Sequence, residues 1–263
     1  MTTDLDRRLA FADRLADASG EFIRPYFRKR IDVTDKGARG FYDPVTEADK
    51  GAEIIIREMI AKEFPDDAIL GEEFGETAGP SGYRWVLDPV DGTRAFIVGQ
   101  PLWGTLIGLE KNASPVAGVL DQPFLRERFI GANGKAELRT ASGISRLQTR
   151  PCPRLADAVI CTTHPMLHFS AAERELYWRV ERECRLSRYG GDCYAYALVA
   201  MGFIDLVIET HLKRWDIAAI VPIIRGAGGI ITAWSGQPWK DGDQIIAAGD
   251  ARVHAEAVKL LSG

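Results

Sequence analysis

Apolar side chains recur at helical spacing at the start of the chain, where Leu5, Leu9, Ala12, Ala16, Ile23 and Phe27 fall on one face. A period near 3.6 predicts an amphipathic helix over residues 5–27. Pro25 is expected to kink or end it, because the ring removes a backbone donor. The charged, glycine-containing stretch 35–43 reads as a loop. Ala48, Ala52, Ile55, Ile56, Met59 and Ile60 form a second stripe, predicting a helix over 47–64. The pattern then changes to short runs at 68–70, 85–87, 105–109, 116–120 and 128–130, punctuated by Gly118, Pro123, Asn133 and Gly134. Runs this brief between turn residues read as strands. The first half therefore predicts helices packed on a mixed or antiparallel sheet.

In the second half, strand patterns at 158–162, 204–209, 229–232 and 244–248 alternate with helical ones at 171–183, 192–203, 216–226 and 253–261. This alternation predicts an α/β arrangement. Ser142, Gly143, Pro151 and Pro153 mark a shift in composition near 140–155. The expectation is a single unit, 1–263, with sub-domains of about 1–145 and 146–263.

Composition narrows the function classes. Of 263 residues, 46% are apolar and 27% charged, which excludes a disordered chain. The 33 basic and 37 acidic residues give a net charge of −4, which lacks the electrostatic footprint of a nucleic-acid binder. Four cysteines without a C-x-x-C spacing argue against a disulfide scaffold or a structural zinc site. The longest apolar stretch, 193–204, falls short of the ~20 residues that cross a bilayer. The first residues carry early acids and no apolar run of a secretory signal. These features lead us to expect a cytoplasmic enzyme with neither nucleic-acid nor membrane partners.

The candidate chemistry is acidic. Glu72 and Glu73 follow one predicted strand, Asp88 and Asp91 follow another, and Asp216 is expected to open a helix. Carboxylates at strand ends can converge on one point. Together they repel unless a cation compensates, and Mg²⁺ is the common hard-oxygen solution. Within the DPVDGT run at 88–93, Pro89 stiffens the turn, Gly92 permits positive φ, and Thr93 stands where a starting helix would expose N–H groups to a phosphate. A D-P-x-D-G turn alone is also an ordinary surface turn; it is the set of motifs that points to metal and phosphate.

That set has a counterpart. The GEE at 71–73, DPVDGT at 88–93, RWD at 214–216 and the run GGDCYAYALVAMGFIDLVIE at 190–209 resemble the inositol monophosphatase family of metal-dependent phosphomonoesterases. The resemblance implies a mixed α/β fold, a layered α/β/α/β/α sandwich of the sugar-phosphatase type, usually a homodimer. It also implies two to three Mg²⁺ per site. Glu72, Asp88 and the Val90 carbonyl would bind one ion, and Asp88, Asp91 and Asp216 a second. A weaker third ion would share Glu72, with Glu73 outside its direct ligands. Gly92 and Thr93 would hold phosphate. Asp49 would pair with the Thr93 hydroxyl and help activate the attacking water, and Lys36 would lie near the phosphate on a gating loop, 34–44. Asp49 equally fits a capping box begun by Thr46. The implied reaction is in-line attack of a metal-activated water on a phosphate monoester.

The same resemblance places Gly190, Gly191, Asp192 and Glu209 around the leaving group, with Arg188 either touching it or bracing the loop. Asp192 departs from the small or hydroxyl residues of polyol-phosphate members. An added buried carboxylate is costly unless its ligand is cationic, although Asp192 could also serve as a helix N-cap. The stretch DPVDGTRAFIVGQPLWGTLIGL, with Arg94, is similar to the histidinol-phosphatase branch. The expected activity is hydrolysis of L-histidinol phosphate, a small-molecule ester, in histidine biosynthesis. The alternatives are an inositol-1-monophosphatase or broad polyol-phosphate phosphatase, a nucleotide 3′-phosphatase, or a non-catalytic binding protein, against which the intact acids argue. His164 and His168, separated by Pro165, read as surface or core residues.

Overall fold

Helix α1 (Asp4–Ile23) begins at a capping box in which Thr3 and Asp6 exchange backbone-to-side-chain hydrogen bonds. It stops two residues before Pro25, shorter than the apolar stripe predicted, because the proline cannot donate into the helix. This computed structural model describes residues 3–30, 32–36 and 44–262. Strands β1 (Val33–Asp35) and β2 (Pro44–Thr46) pair antiparallel, so the two ends of the expected loop 34–44 are strands. Its middle, 37–43, lies outside the described residues. Helix α2 (Glu47–Glu63) follows and packs on α1.

An eight-stranded sheet comes next. It comprises β3 (Ala68–Gly71), β4 (Gly75–Thr77), β5 (Tyr83–Asp91), β6 (Gly104–Lys111), β7 (Ser114–Gln122), β8 (Glu127–Ala132), β9 (Lys135–Thr140) and β10 (Gly143–Arg146), with the short α3 (Thr93–Ile97) between β5 and β6. The order is β10-β9-β8-β7-β6-β5-β3-β4, antiparallel except for the parallel β3–β5 pair. A second sheet of five strands contains β11 (Val159–Thr162), β12 (Leu186–Tyr189), β13 (Leu206–Glu209), β14 (Ile230–Ala233) and β15 (Ile245–Ala248), in the order β12-β11-β13-β15-β14. Here β12, β11 and β13 run parallel, and β15 runs antiparallel to both its neighbours. The intervening helices are α4 (Pro165–His168), α5 (Ala171–Glu183), α6 (Asp192–Ala200), α7 (Arg214–Ile217), α8 (Ile220–Gly226) and the terminal α9 (Ala251–Leu261).

The cores show the layering. Phe11, Leu15, Ile56 and Ile60 of α1 and α2 pack on Trp85, Ile107, Val119 and Ile130 of the large sheet. The opposite face, through Leu106, Leu120 and Phe129, meets Ala197, Ile220 and Ile224 of α6 and α8, which also touch Val207 and Ala247 of the second sheet. Tyr177, Val180, Val253 and Ala257 of α5 and α9 cover the far side. The result is the α/β/α/β/α sandwich. Gly118 and Gly131 make the central layer close: a Cβ on Gly118 would lie 2.0 Å from the Ala219 carbonyl oxygen, and one on Gly131 2.3 Å from Ile223 N.

Two expectations are corrected. The single helix predicted over 216–226 is two, broken at Ala218 and Ala219, and Asp216 lies inside α7 rather than at its start. The strand predicted from Ile204 starts at Leu206, because Asp205 is engaged by Arg150 and by the Val159 N–H.

Candidate active site

Parallel pairing sets the position of the first acids. Gly71 of β3 lies opposite Leu87 of β5, so both strands end at the same edge. Glu72 emerges from β3 with its N–H on the Leu87 carbonyl, 3.2 Å away, while Asp88 and Asp91 close β5. The pairing with β6 is irregular between Asp88 and Asp91. Extra residues in a strand bend it and re-aim its side chains, and here the Asp88 carboxylate accepts from Val90 N at 3.1 Å. Helix α7 brings Asp216 to the same point. Asp88, Asp91 and Asp216 each place an oxygen within 4.8 Å of the others. Glu72 lines the same cavity.

Electrostatics sets this cluster apart from a structural ion-pair network. Burial, followed by repulsion from Glu72, Asp91 and Asp216, holds the Asp88 carboxyl well above the usual range. Asp216 is raised by burial and then by Asp91; Asp91 is raised by burial, opposed by the Cys193 N–H. Burial takes Glu72 to about 7 even though Lys36 pulls the other way. Lys36 Nζ sits 3.1 Å from Glu72 and 2.7 Å from Glu73.

Gly92 follows β5 with φ 84 and caps α3. A Cβ there would meet Asp192 Cβ at 3.0 Å, so only glycine lets the backbone approach this closely. The Thr93 hydroxyl donates to the Val90 carbonyl at 3.0 Å and reaches Asp49 Oδ1 at 3.4 Å. Asp49 combines the two readings of its sequence. Its Oδ2 accepts from Thr46 as the capping box requires, while its Oδ1 faces Thr93. Burial raises it to about 6.

The other wall comes from the second sheet. Asp192 lines the cavity at the first position of α6 with φ 43, a left-handed conformation unusual for a residue with a side chain. Gly191 holds the N-cap position, so Asp192 is not the cap that its sequence also allowed. Burial and then Asp91 raise Asp192 to about 7, with Arg94 opposing. Glu209, at the end of β13, is raised by burial to about 8, while its Oε1 accepts from the Thr163 N–H and hydroxyl. Arg188, Gly190 and Gly191 do not line the cavity. Gly190 has φ 83, and a Cβ on Gly191 would lie 2.6 Å from Ala195 Cβ; both shape the turn into α6.

Residues 4–262 match the inositol monophosphatase family. The chain belongs to that family. The bifunctional phosphatase IMPL2 of Arabidopsis thaliana, chloroplastic, is 46% identical over 270 residues, covering 98% of this chain and 76% of that protein. A histidinol-phosphatase of Chlorobaculum parvum is 34% identical over 95% of this chain and 94% of its own. Among solved structures, an inositol monophosphatase from Zymomonas mobilis matches with a TM-score of 0.88 at 37% identity, covering 99% and 100% of the two chains. As a member of the family the protein is a metal-dependent phosphomonoesterase.

The inositol monophosphatase family implies Mg²⁺, and the donor set fits it. Three carboxylates converge, and among the described residues no lysine or arginine pairs with Asp88, Asp91 or Asp216. Converging carboxylates that lack a cationic partner are stabilised by a hard divalent cation. The cavity also has walls that sequence reading missed: Thr163, His168, Tyr196 and Thr210, with Arg94. His168 on α4 is neither a surface nor a plain core residue. Its Nε2 lies 3.2 Å from Arg94 Nη1, and burial, then the Arg94 charge, lowers it to about 4, so it stays neutral. Thr163 and Thr210 immediately follow β11 and β13. The rule that ligands gather beyond the carboxyl ends of parallel strands, applied to β11, would have found this wall.

Proposed function

We propose that this protein is a Mg²⁺-dependent histidinol-phosphatase, hydrolysing L-histidinol phosphate to L-histidinol and phosphate in histidine biosynthesis. The observation that carries the reading is the pair of carboxylates, half-buried Asp192 and buried Glu209, in the cavity beside the metal-binding acids. Burial penalises both as anions; a cationic leaving group removes that penalty, and a neutral polyol does not. The histidinol-phosphatase among its relatives supports the same choice.

Glu72, Asp88, the Val90 carbonyl, Asp91 and Asp216 would hold two to three Mg²⁺, which supply charge neutralisation for the phosphoryl group and activate water as nucleophile. The chain does the rest by positioning. Main-chain N–H groups at Gly92 and Thr93 hold phosphate oxygens. The Thr93 hydroxyl would orient the attacking water and take up its proton while giving its own to Asp49 Oδ1, 3.4 Å away, whose affinity for a proton burial raises. Lys36, between Glu72 and Glu73, adds positive charge at the phosphate side. The unit acts as a homodimer in the cytoplasm.

The second reading is an inositol-1-monophosphatase or broad polyol-phosphate phosphatase, favoured by the close match to the Zymomonas mobilis enzyme. It uses the same acids and differs only in the leaving-group wall. Phosphate release from histidinol phosphate and inositol phosphate, by wild type and Asp192→Ala, separates the two. We expect histidinol phosphate to be preferred, and the variant to lose about 30-fold or more in kcat/KM on it, as truncating one side of a buried charge pair does, with a much smaller loss on inositol phosphate. Equal or better turnover of inositol phosphate by the wild type defeats the histidinol reading.

A further inference from the structure

One residue that lines the cavity carries a buried polar atom with no partner in the fold. Tyr196 lies on α6, four residues after Asp192, and both side chains line the cavity. The residue is 4% exposed, and its hydroxyl has no hydrogen-bond partner. Among the described residues Trp103 Nε1 and Thr162 Oγ1 share that condition, but neither residue lines the cavity. An unpaired buried hydroxyl destabilises the fold, and phenylalanine would fill the same space without that cost. Burial, then the carboxylates of Glu209, Asp91 and Asp216, keep the phenol protonated. The hydroxyl is therefore a neutral group with an oxygen lone pair that no protein donor reaches.

We propose that Tyr196 Oη is the third acceptor for a primary ammonium on the leaving group, completing a set with Asp192 and Glu209. This inference rests on the cationic leaving group proposed above and goes further: the cavity reads a primary amine, not only positive charge. A primary ammonium carries three N–H donors in a compact head. With one oxygen of each carboxylate on the ammonium, its third N–H needs another acceptor, and an unmatched donor is where discrimination becomes large. The Tyr196 lone pair takes the third N–H. Glu209 already commits one oxygen to Thr163, which fixes it as a wall of this set. The substrate class is phosphate monoesters of primary amino alcohols.

The test compares histidinol phosphate with its deamino analogue, 3-(imidazol-4-yl)propyl phosphate, using wild type and Tyr196→Phe. In the variant the ratio of the two kcat/KM values should fall by about 10-fold, the size of a hydrogen bond to a charged group, and should do so mainly through KM. Thermal unfolding should show the variant at least as stable as wild type, since an unpaired hydroxyl is removed. An equal loss on both esters overturns the proposal and moves the hydroxyl to the ester oxygen. Weakened Mg²⁺ binding in calorimetry without substrate also overturns it, placing the hydroxyl against the hydrated cation, and so does an unchanged ratio. A wild type that hydrolyses inositol phosphate but neither imidazole ester overturns the substrate reading alone. Ethanolamine phosphate against ethylene glycol monophosphate then measures the same Tyr196 ratio.

Discussion

Asp91 shows how one residue joins the two halves of the site. Its carboxylate shares the acid cluster with Asp88 and Asp216, and one of its oxygens also accepts from the Cys193 N–H at 2.9 Å, at the start of α6. Asp91→Asn keeps an oxygen for that contact and removes one charge from a self-repelling group. Turnover should drop by more than about 100-fold, beyond the loss usual for residues that merely support a metal ligand. Metal-free thermal stability should hold or rise. Phosphate release and calorimetric unfolding in EDTA check the two halves of this expectation, and retained activity with unchanged Mg²⁺ dependence would remove Asp91 from the ligands. At this scale the acids were legible because DPVDGT and RWD are local runs. His168 was not, since its neighbour in the cavity is distant in sequence: it meets Arg94, 74 positions earlier.

At the scale of elements, the contact between α8 and the large sheet decides where Asp216 stands. Gly118 of β7 lies under Ala219, which joins α7 to α8. Gly118→Ala would press a methyl against the Ala219 carbonyl oxygen. Overpacking of this kind costs about 1–3 kcal/mol, roughly 2–10 °C in Tm for a chain of this size. Because α7 hangs on the same link, Mg²⁺ affinity should weaken along with stability; a thermal scan and a calorimetric titration read the two effects. The apolar runs showed β5 to β8 because both faces of these strands are buried. Strands β4 and β10 are exposed along their length and leave no alternation to read. Helices α3, α4 and α7 span only 5, 4 and 4 residues, too few for a helical period to show. The break between α7 and α8 was hidden because its two alanines are as apolar as the helix they interrupt.

For the molecule as a whole, the site is a load that the fold carries until ligands arrive. Asp192 and Glu209 have folded pKa values of about 7 and 8, raised mainly by burial, against ordinary values near 4 in the unfolded chain. Between those limits the folded state binds more protons than the unfolded one, so stability must fall as pH rises. The contribution is fully present below about pH 4 and is lost as pH climbs through 7 to 8. In EDTA, Tm should therefore decline from pH 5 to pH 8, and the double variant Asp192→Asn, Glu209→Gln should flatten that decline. Mg²⁺, binding only the folded state, should stabilise it at pH 8 by about 2.7 kcal/mol at a hundred times its Kd, read as a higher Tm. A Tm that climbs with pH in EDTA, or that ignores the double variant, would mean that these two carboxylates are already compensated within the fold. The case for a cationic leaving group would then lose its physical basis, while the acid cluster at Asp88, Asp91 and Asp216 would keep its own.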